Sequence, residues 1–288
     1  DAPVIRWNQF MKIANSCFYN YKKERKGDDP AVMLYSGGTT GTTKGIVLSN
    51  NNFNMLGQQI VATNPMYRLG DKMLAAMPIF HGFGLGIGIH TMLENGAMCI
   101  LIPQFTKESY AKAVLKNKPN FIAGVPTLFE ALLKVDIFDG ADLSFLIGVF
   151  SGGDSLSPEL KKRADKFFKD HNANLQIREG YGLTECSPVI TCNHPTKFKF
   201  GSVGTPLDCN EIKIVDPDEN GVGEIYVRGS NVMVGYYNDP EATAEAFDGD
   251  WFKTGDFGRI DKDGFLFMVG RKKNLIVLSN GKNVSPEE

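Results

Sequence analysis

Apolar residues along this chain recur with two different periods, and the switching between them predicts its architecture. From residue 72 onward, apolar runs at 72–77, 97–102, 120–125, 145–150 and 175–178 have the length and composition of buried strands. Most are separated by stretches of helical spacing at 84–93, 108–116, 127–134 and 158–171. Strands too apolar to face water, alternating with helices, predict an α/β fold with a mainly parallel sheet flanked by helices. Upstream, residues 7–25 carry helical spacing, Ala31-Val32-Met33-Leu34-Tyr35 reads as a strand, and Ser49 or Asn50 is placed to cap a helix running through residue 61. The helix at 158–171 has the best local signals, with Ser157 as cap, Pro158 in the first position and Glu159 at the positive helix end.

From Gly201 the texture changes to strands at 211–215, 223–228, 258–261 and 265–269, punctuated by the turns Asp218-Glu219-Asn220-Gly221 and Lys262-Asp263-Gly264. One helix interrupts them, with Asp239 as cap and Pro240 behind it, so residues 201–271 are expected to form a small β-rich, barrel-like subdomain.

At 288 residues, 42% of them apolar, the chain can bury a substantial core. Its 31 basic and 33 acidic residues leave a net charge of -2, so no global basic field points to nucleic acid or an anionic membrane, and any anion site must come from local geometry. The five cysteines (Cys17, Cys99, Cys186, Cys192 and Cys209) are scattered and without paired spacing, which favours reduced thiols and a cytoplasmic setting over a disulfide frame or a zinc site. No apolar run is long enough to span a membrane, and the opening residues lack the charged-then-apolar order of a signal peptide.

The densest chemistry lies in Ser36-Gly37-Gly38-Thr39-Thr40-Gly41-Thr42-Thr43-Lys44-Gly45, between the Ala31–Tyr35 run and the β-like Ile46-Val47-Leu48. Glycines let backbone N–H groups turn toward an anion, threonine hydroxyls add donors, and Lys44 supplies a mobile charge for phosphate oxygens. A P-loop requires Gly-Lys-Ser/Thr opening a helix, whereas here Gly45 follows the lysine and a strand follows the glycine. A Gly/Thr-rich surface turn is the structural alternative.

This loop resembles the phosphate-binding signature of the adenylate-forming (AMP-binding) superfamily. The resemblance continues in order through Pro78-Ile79-Phe80-His81-Gly82, Ser151-Gly152-Gly153-Asp154-Ser155-Leu156, Gly180-Tyr181-Gly182-Leu183-Thr184-Glu185, Thr254-Gly255-Asp256 and Gly270-Arg271-Lys272-Lys273. It covers nearly everything from Ala31 onward, and among subfamilies the strings at 201–206 and 231–238 look most like long-chain fatty acyl-CoA synthetases. The implied reaction is attack of a carboxylate on the α-phosphorus of ATP, giving acyl-AMP and pyrophosphate, followed by transfer to coenzyme A.

The resemblance also implies roles for residues. Thr39, Thr40, Gly41, Thr42 and Lys44 would hold the leaving pyrophosphate and Thr184 the α-phosphate, while Glu185 would take Mg²⁺, a hard ion suited to one carboxylate among phosphate oxygens and waters. Gly152, Gly153 and Asp154 would border the adenine and acyl sites, Gly180, Tyr181 and Gly182 would face the adenine, and Asp256 with Arg271 would contact the ribose. For Asp154 a tight turn, and for Arg271 a surface ion pair, remain the structural alternatives. His81 lies where domains that take α-amino acids generally place an aspartate, so an acid without an α-amine is favoured, with Phe83, Leu85, Ile87 and Ile89 as an apolar channel or plain core.

Two departures stand out: Gly37 and Thr43 occupy positions where the family commonly has serine and proline. The family also carries a further domain beyond a hinge that Lys273 matches, so the chain reads as a central portion: residues 1–200 as the nucleotide- and acyl-binding part, 201–271 as the β-rich subdomain and 272–288 as the hinge. The alternatives to a fatty acid–CoA ligase are an adenylation domain serving another acid or a carrier protein, and a nucleotide-binding remnant without catalysis.

Overall fold

The structure, a computed structural model, describes residues 6–16, 24–35, 43–102, 104–271, 276–277 and 283–284. In chain order, helix α1 (Trp7–Asn15) precedes an antiparallel hairpin of β1 (Pro30–Tyr35) and β2 (Gly45–Ser49). Helix α2 (Asn50–Ala62) follows at once. Next come β3 (Lys72–Ala75), a π-helix (Phe83–His90), α3 (Thr91–Glu94), β4 (Met98–Leu101), α4 (Lys107–Asn117), β5 (Phe121–Gly124), α5 (Pro126–Leu132), β6 (Gly148–Ser151), α6 (Pro158–Asp170) and β7 (Ile177–Tyr181). Then follow β8 (Thr191–Cys192), β9 (Thr205–Pro206), β10 (Asn210–Val215), β11 (Gly223–Gly229), β12 (Gly235–Tyr236), α7 (Pro240–Ala246), β13 (Phe247–Asp248), β14 (Trp251–Ile260), β15 (Leu266–Arg271) and the short antiparallel pair β16 (Ile276–Val277) and β17 (Asn283–Val284).

The central sheet runs β4-β3-β5-β6-β7-β8-β9. Its first five strands are parallel, and β8 and β9 close one side antiparallel. Because side chains alternate across a strand, each buried strand feeds two cores. Leu74, Ile122, Val149 and Ile177 face a layer formed with α4, α5 and α6, where Tyr110, Phe129 and Phe168 are fully enclosed. Met73, Phe121 and Ala123 face the opposite layer, made with Leu56 and Ile60 of α2 and with Phe83 and Ile87 of the π-helix. The expected α/β sandwich is therefore present, with a mixed sheet.

Local caps explain where helices begin. Ser49 accepts from the Asn52 N–H at 3.2 Å while the Asn52 side chain accepts from the Ser49 N–H at 2.8 Å, a reciprocal cap at α2. Ser157 accepts from Leu160 N–H and Asp239 from Ala242 N–H, each ahead of a proline. The α1 helix ends at Asn15, short of residue 25, and residues 17–23 lie outside the described set.

The β-rich stretch forms a five-stranded antiparallel sheet ordered β10-β11-β14-β13, with β15 also on β14, an open order with ends rather than a closed barrel. Two of its segments leave it. Strand β9 pairs with β8 of the central sheet, and β12 pairs with β2 to make a three-stranded sheet with the hairpin. The side-chain amide of Asn52 adds bonds to the Ser230 and Val232 carbonyls at 2.8 and 2.9 Å.

Candidate active site

Strands β6 and β7 run side by side and in the same direction, so Ser151-Gly152-Gly153 and Tyr181-Gly182-Leu183 emerge together at their carboxyl ends. Open α/β sheets bind ligands at such ends. A cavity of about 780 Å³ begins here, lined on one side by Gly152, Gly153, Gly180, Tyr181, Gly182, Thr184 and Glu185 and closed across by Thr254, Asp256 and Arg271. His81, Phe83 and Ile87 line it from the π-helix side. The motifs at 81, 151–153, 180–185 and 254–256, far apart in sequence, thus line one cavity.

Packing dictates part of the glycine pattern. Gly153 sits at φ +79°, a left-handed conformation that glycine adopts without strain. A Cβ on Gly182 would collide with the Pro188 carbonyl oxygen, so this glycine is demanded by the chain's own turn at Pro188 as much as by any ligand. Gly152 has room for a methyl group, with Phe83 Cζ at 3.6 Å.

The Thr184–Cys186 turn carries the two residues expected at the phosphates and is pinned from behind. Glu185 accepts the Met233 N–H on its carbonyl at 2.7 Å, and the fully buried Asn231 donates to the Cys186 and Val189 carbonyls at 3.0 and 2.6 Å. Ser187 Oγ returns a bond to the Asn231 carbonyl at 2.8 Å. Nothing in the sequence marked Asn231 for this task; a lone asparagine in a loop carries no signal of the clamp it forms.

Asp256 meets both of its neighbours at once. Its Oδ2 accepts from the Tyr181 hydroxyl at 2.7 Å, and its Oδ1 lies 3.4 Å from Arg271 Nε, directly across the β14–β15 ladder. Burial pushes the Asp256 carboxyl up, and the Tyr181 bond and Arg271 charge pull the other way. Because the Arg271 side chain is 61% exposed, this ion pair contributes little to stability, and its guanidinium stays available to a ligand.

Glu185 Oε1 accepts from the Tyr236 hydroxyl at 3.2 Å, and Lys44 Nζ rests 4.6 Å from the centre of the same ring. Tyr236, on β12, therefore joins the end of the threonine-rich loop to the carboxylate, a residue that sequence reasoning missed although the Gly235-Tyr236-Tyr237 string was in view. Burial raises the Glu185 carboxyl, reinforced by the charge of Asp256 and opposed by Tyr236 and Arg271. A carboxylate whose ionisation burial penalises gains most from an arriving divalent cation. Among the described residues no group of three or more His, Cys, Asp or Glu side chains is placed to hold an ion.

Two expectations resolve differently. Asp154 lies outside the cavity wall, exposed, with its carboxylate accepting from the Ser155 N–H at 2.8 Å, the turn reading of that residue. Phe83 and Ile87, one helical turn apart, line the cavity, whereas Leu85 packs against the separate core cluster that includes Leu34 and Ile46, and Ile89 is not on the wall; the segment is helical, so alternate residues cannot share a face. Thr39, Thr40, Gly41 and Thr42 lie outside the described residues, as does Lys273. His81 Nδ1 accepts from the Phe83 N–H at 3.1 Å, and burial holds its imidazole below the usual range, so it faces the cavity as a neutral ring near pH 7.

Residues 5–237 match the family described as AMP-binding enzyme. The chain belongs to that family. It is 37% identical over 272 residues to a long-chain-fatty-acid–CoA ligase of Yersinia pestis, covering 90% of this chain and 47% of the relative. To a probable 4-coumarate–CoA ligase 2 of Dictyostelium discoideum it is 38% identical over 297 residues, covering 100% and 53%. Among solved structures, ATP-bound MatB from Rhodopseudomonas palustris superimposes with a TM-score of 0.85 at 27% identity, over 97% of this chain and 55% of that one. The chain spans about half the length of the relatives it matches. Among the described residues no helix is long and apolar enough to cross a membrane.

Proposed function

We propose that this chain forms the nucleotide- and acid-binding part of an AMP-forming acid–thiol ligase, which activates a fatty or related carboxylic acid as acyl-AMP and passes it to coenzyme A. The observation that carries the reading is the single cavity in which the Thr184-Glu185 turn, the Tyr181–Asp256–Arg271 cluster and an apolar wall of Phe83, Ile87 and Phe121 meet. Relatives named for long-chain fatty acids support a long apolar tail, and those named for 4-coumarate support a shorter aromatic acid. Reduced thiols at Cys99, Cys186, Cys192 and Cys209 support a cytoplasmic setting.

In this reading Asp256 accepts from ribose hydroxyls through lone pairs that Tyr181 leaves open, and Arg271 flanks the same sugar. Tyr181, Gly152, Gly153, Gly180 and Gly182 border the base, Thr184 donates to the α-phosphate, and Lys44 with Thr39, Thr40, Gly41 and Thr42 takes the departing pyrophosphate. Mg²⁺ at Glu185 would supply charge neutralisation between phosphate oxygens. The acid's carboxylate oxygen attacks the α-phosphorus, the bond to pyrophosphate breaks, and the electron pair leaves with pyrophosphate. Two anions must be brought within bonding distance, so oriented donors matter more than a proton carrier, each contributing roughly 2–4 kcal/mol to the barrier. His81, neutral beside the apolar wall, adds no charge to repel or trap an acid without an α-amine.

The test is exchange of labelled pyrophosphate into ATP by the full-length protein, across fatty, aryl and amino acids. Exchange that depends on a fatty or aryl acid is expected. Binding of ATP without acid-dependent exchange overturns the reading and leaves a nucleotide-binding module.

A further inference from the structure

The far wall of the cavity holds a charge that the reaction above does not use. Arg178 is 6% exposed and lines the cavity on the same strand face as Gly180, two residues and about 7 Å along β7. Its guanidinium lies 4.3 Å from the centre of the Phe150 ring. It donates to the Thr63 carbonyl at 3.3 Å and to Asn64 Oδ1, both just beyond the carboxyl end of α2. Around it the wall is Ile60, Met73, Met92, Phe121 and Phe150.

Among the described residues no carboxylate forms an ion pair with Arg178. The nearby titratable groups that feel its charge are Cys192, whose thiol it draws down against burial, and His194, neither of them an acid partner. Arginine stays protonated and offers five donors in a planar fork, of which two meet neutral acceptors here. Enclosing such a cation costs several kcal/mol unless an anion joins it, and helix capping alone is served as well by an exposed arginine. An apolar pocket lined by a guanidinium that meets only neutral acceptors and an aromatic ring suits an apolar body with a negative end.

We infer that Arg178 is a specificity-determining residue, and that the acid activated here carries a second carboxylate at the end remote from the one that attacks ATP. Asn64, whose oxygen accepts from the guanidinium, is a positioning residue for it. The inference rests on the ligase reading, and it narrows the acid from fatty acids in general to those with a charged terminus.

The experiment uses the full-length protein with Mg-ATP and pairs of matched length: hexanoate with adipate, octanoate with suberate, decanoate with sebacate. Acid-dependent pyrophosphate release is measured as kcat/KM for each. The wild-type protein is expected to favour at least one diacid over its monoacid by roughly tenfold or more, since a site built for a charge is left unpaired by a methyl end. Arg178→Met should collapse that ratio while retaining release with monoacids, and Arg178→Lys should keep part of it. Equal or better use of every monoacid by the wild-type protein overturns the assignment, as does an unchanged ratio in a folded Arg178→Met. No release with any acid, although ATP binds, overturns the ligase reading itself.

Discussion

Replacing Glu179 by glutamine should stabilise the protein at alkaline pH and leave it unchanged in mild acid. Glu179 follows Arg178 on β7 but faces the opposite layer, 9% exposed, with Oε2 fully enclosed and without a hydrogen-bond partner. Burial raises its carboxyl from 4.5 to about 7; the field of Lys161 opposes this and Asp165 adds to it. A carboxyl whose folded pKa is raised contributes stability that is complete below the unfolded value of 4.5 and is lost as pH climbs through about 7. The interval corresponds to about 3 kcal/mol. Glutamine has the same shape and no charge to desolvate, so the variant should match the wild type near pH 4.5 and exceed it by about that amount at pH 8. With an unfolding entropy of about 2 cal/mol/K per residue over 288 residues, the gain is about 5 °C in Tm. Thermal scans of both proteins at pH 4.5, 6, 7 and 8 read it directly. A Tm difference that does not grow with pH, or that favours the wild type at pH 8, refutes the burial argument.

Tyr181→Phe removes the hydroxyl that stabilises the Asp256 carboxylate, so the Asp256 pKa should rise further; AMP affinity, measured by titration across pH, should begin to fail at a higher pH than in the wild type. Gly182→Ala should cost more than about 2 kcal/mol in a denaturant melt because its Cβ meets backbone that cannot step aside, while Gly152→Ala, whose Cβ makes only ordinary van der Waals contacts with Phe83 and the Gly180 carbonyl, should fold normally and reveal any loss only in nucleotide binding. Asn231→Ala should lower stability by about 1–3 kcal/mol by removing the amide that donates to the Cys186 carbonyl and leaving the Val189 carbonyl only the 3.5 Å bond from Asn210, and should slow pyrophosphate exchange through a loosened Thr184-Glu185 turn; unchanged values of both would dismiss the clamp.

What the sequence disclosed, and what it hid, follows from the range of the forces involved. Buried parallel strands announce themselves because both faces must be apolar, which is why the runs at 72–77 and 120–125 were readable, and why Ser49, Ser157 and Asp239 were recognised as caps from their immediate neighbours. Motif strings located Gly180 through Glu185 and Asp256 on one cavity, and the pairing of Asp256 with Arg271 is a plain cross-strand register. Hidden from a local reading were residues whose partners lie about fifty or more positions away: Asn52 on Ser230, Arg178 on Asn64, Tyr236 on Glu185. Of the four residues that read as an apolar channel or plain core, Phe83 and Ile87 line the cavity and Leu85 packs in a core cluster, a division that hydrophobicity alone does not disclose. Strand β12 escaped because two residues carry no period at all.

The bond from Asn52 to the Val232 carbonyl spans 180 positions, and β12 must find β2 over a similar separation. A ribosome adding about 5–20 residues per second takes on the order of ten seconds or more to deliver the second partner after the first. During that interval the hairpin's apolar side, with Leu34, Ile46 and Leu48, has no Val227 or Met233 to cover it. The three-stranded sheet is therefore completed late in synthesis, and the emerging chain exposes that apolar side to its surroundings until then.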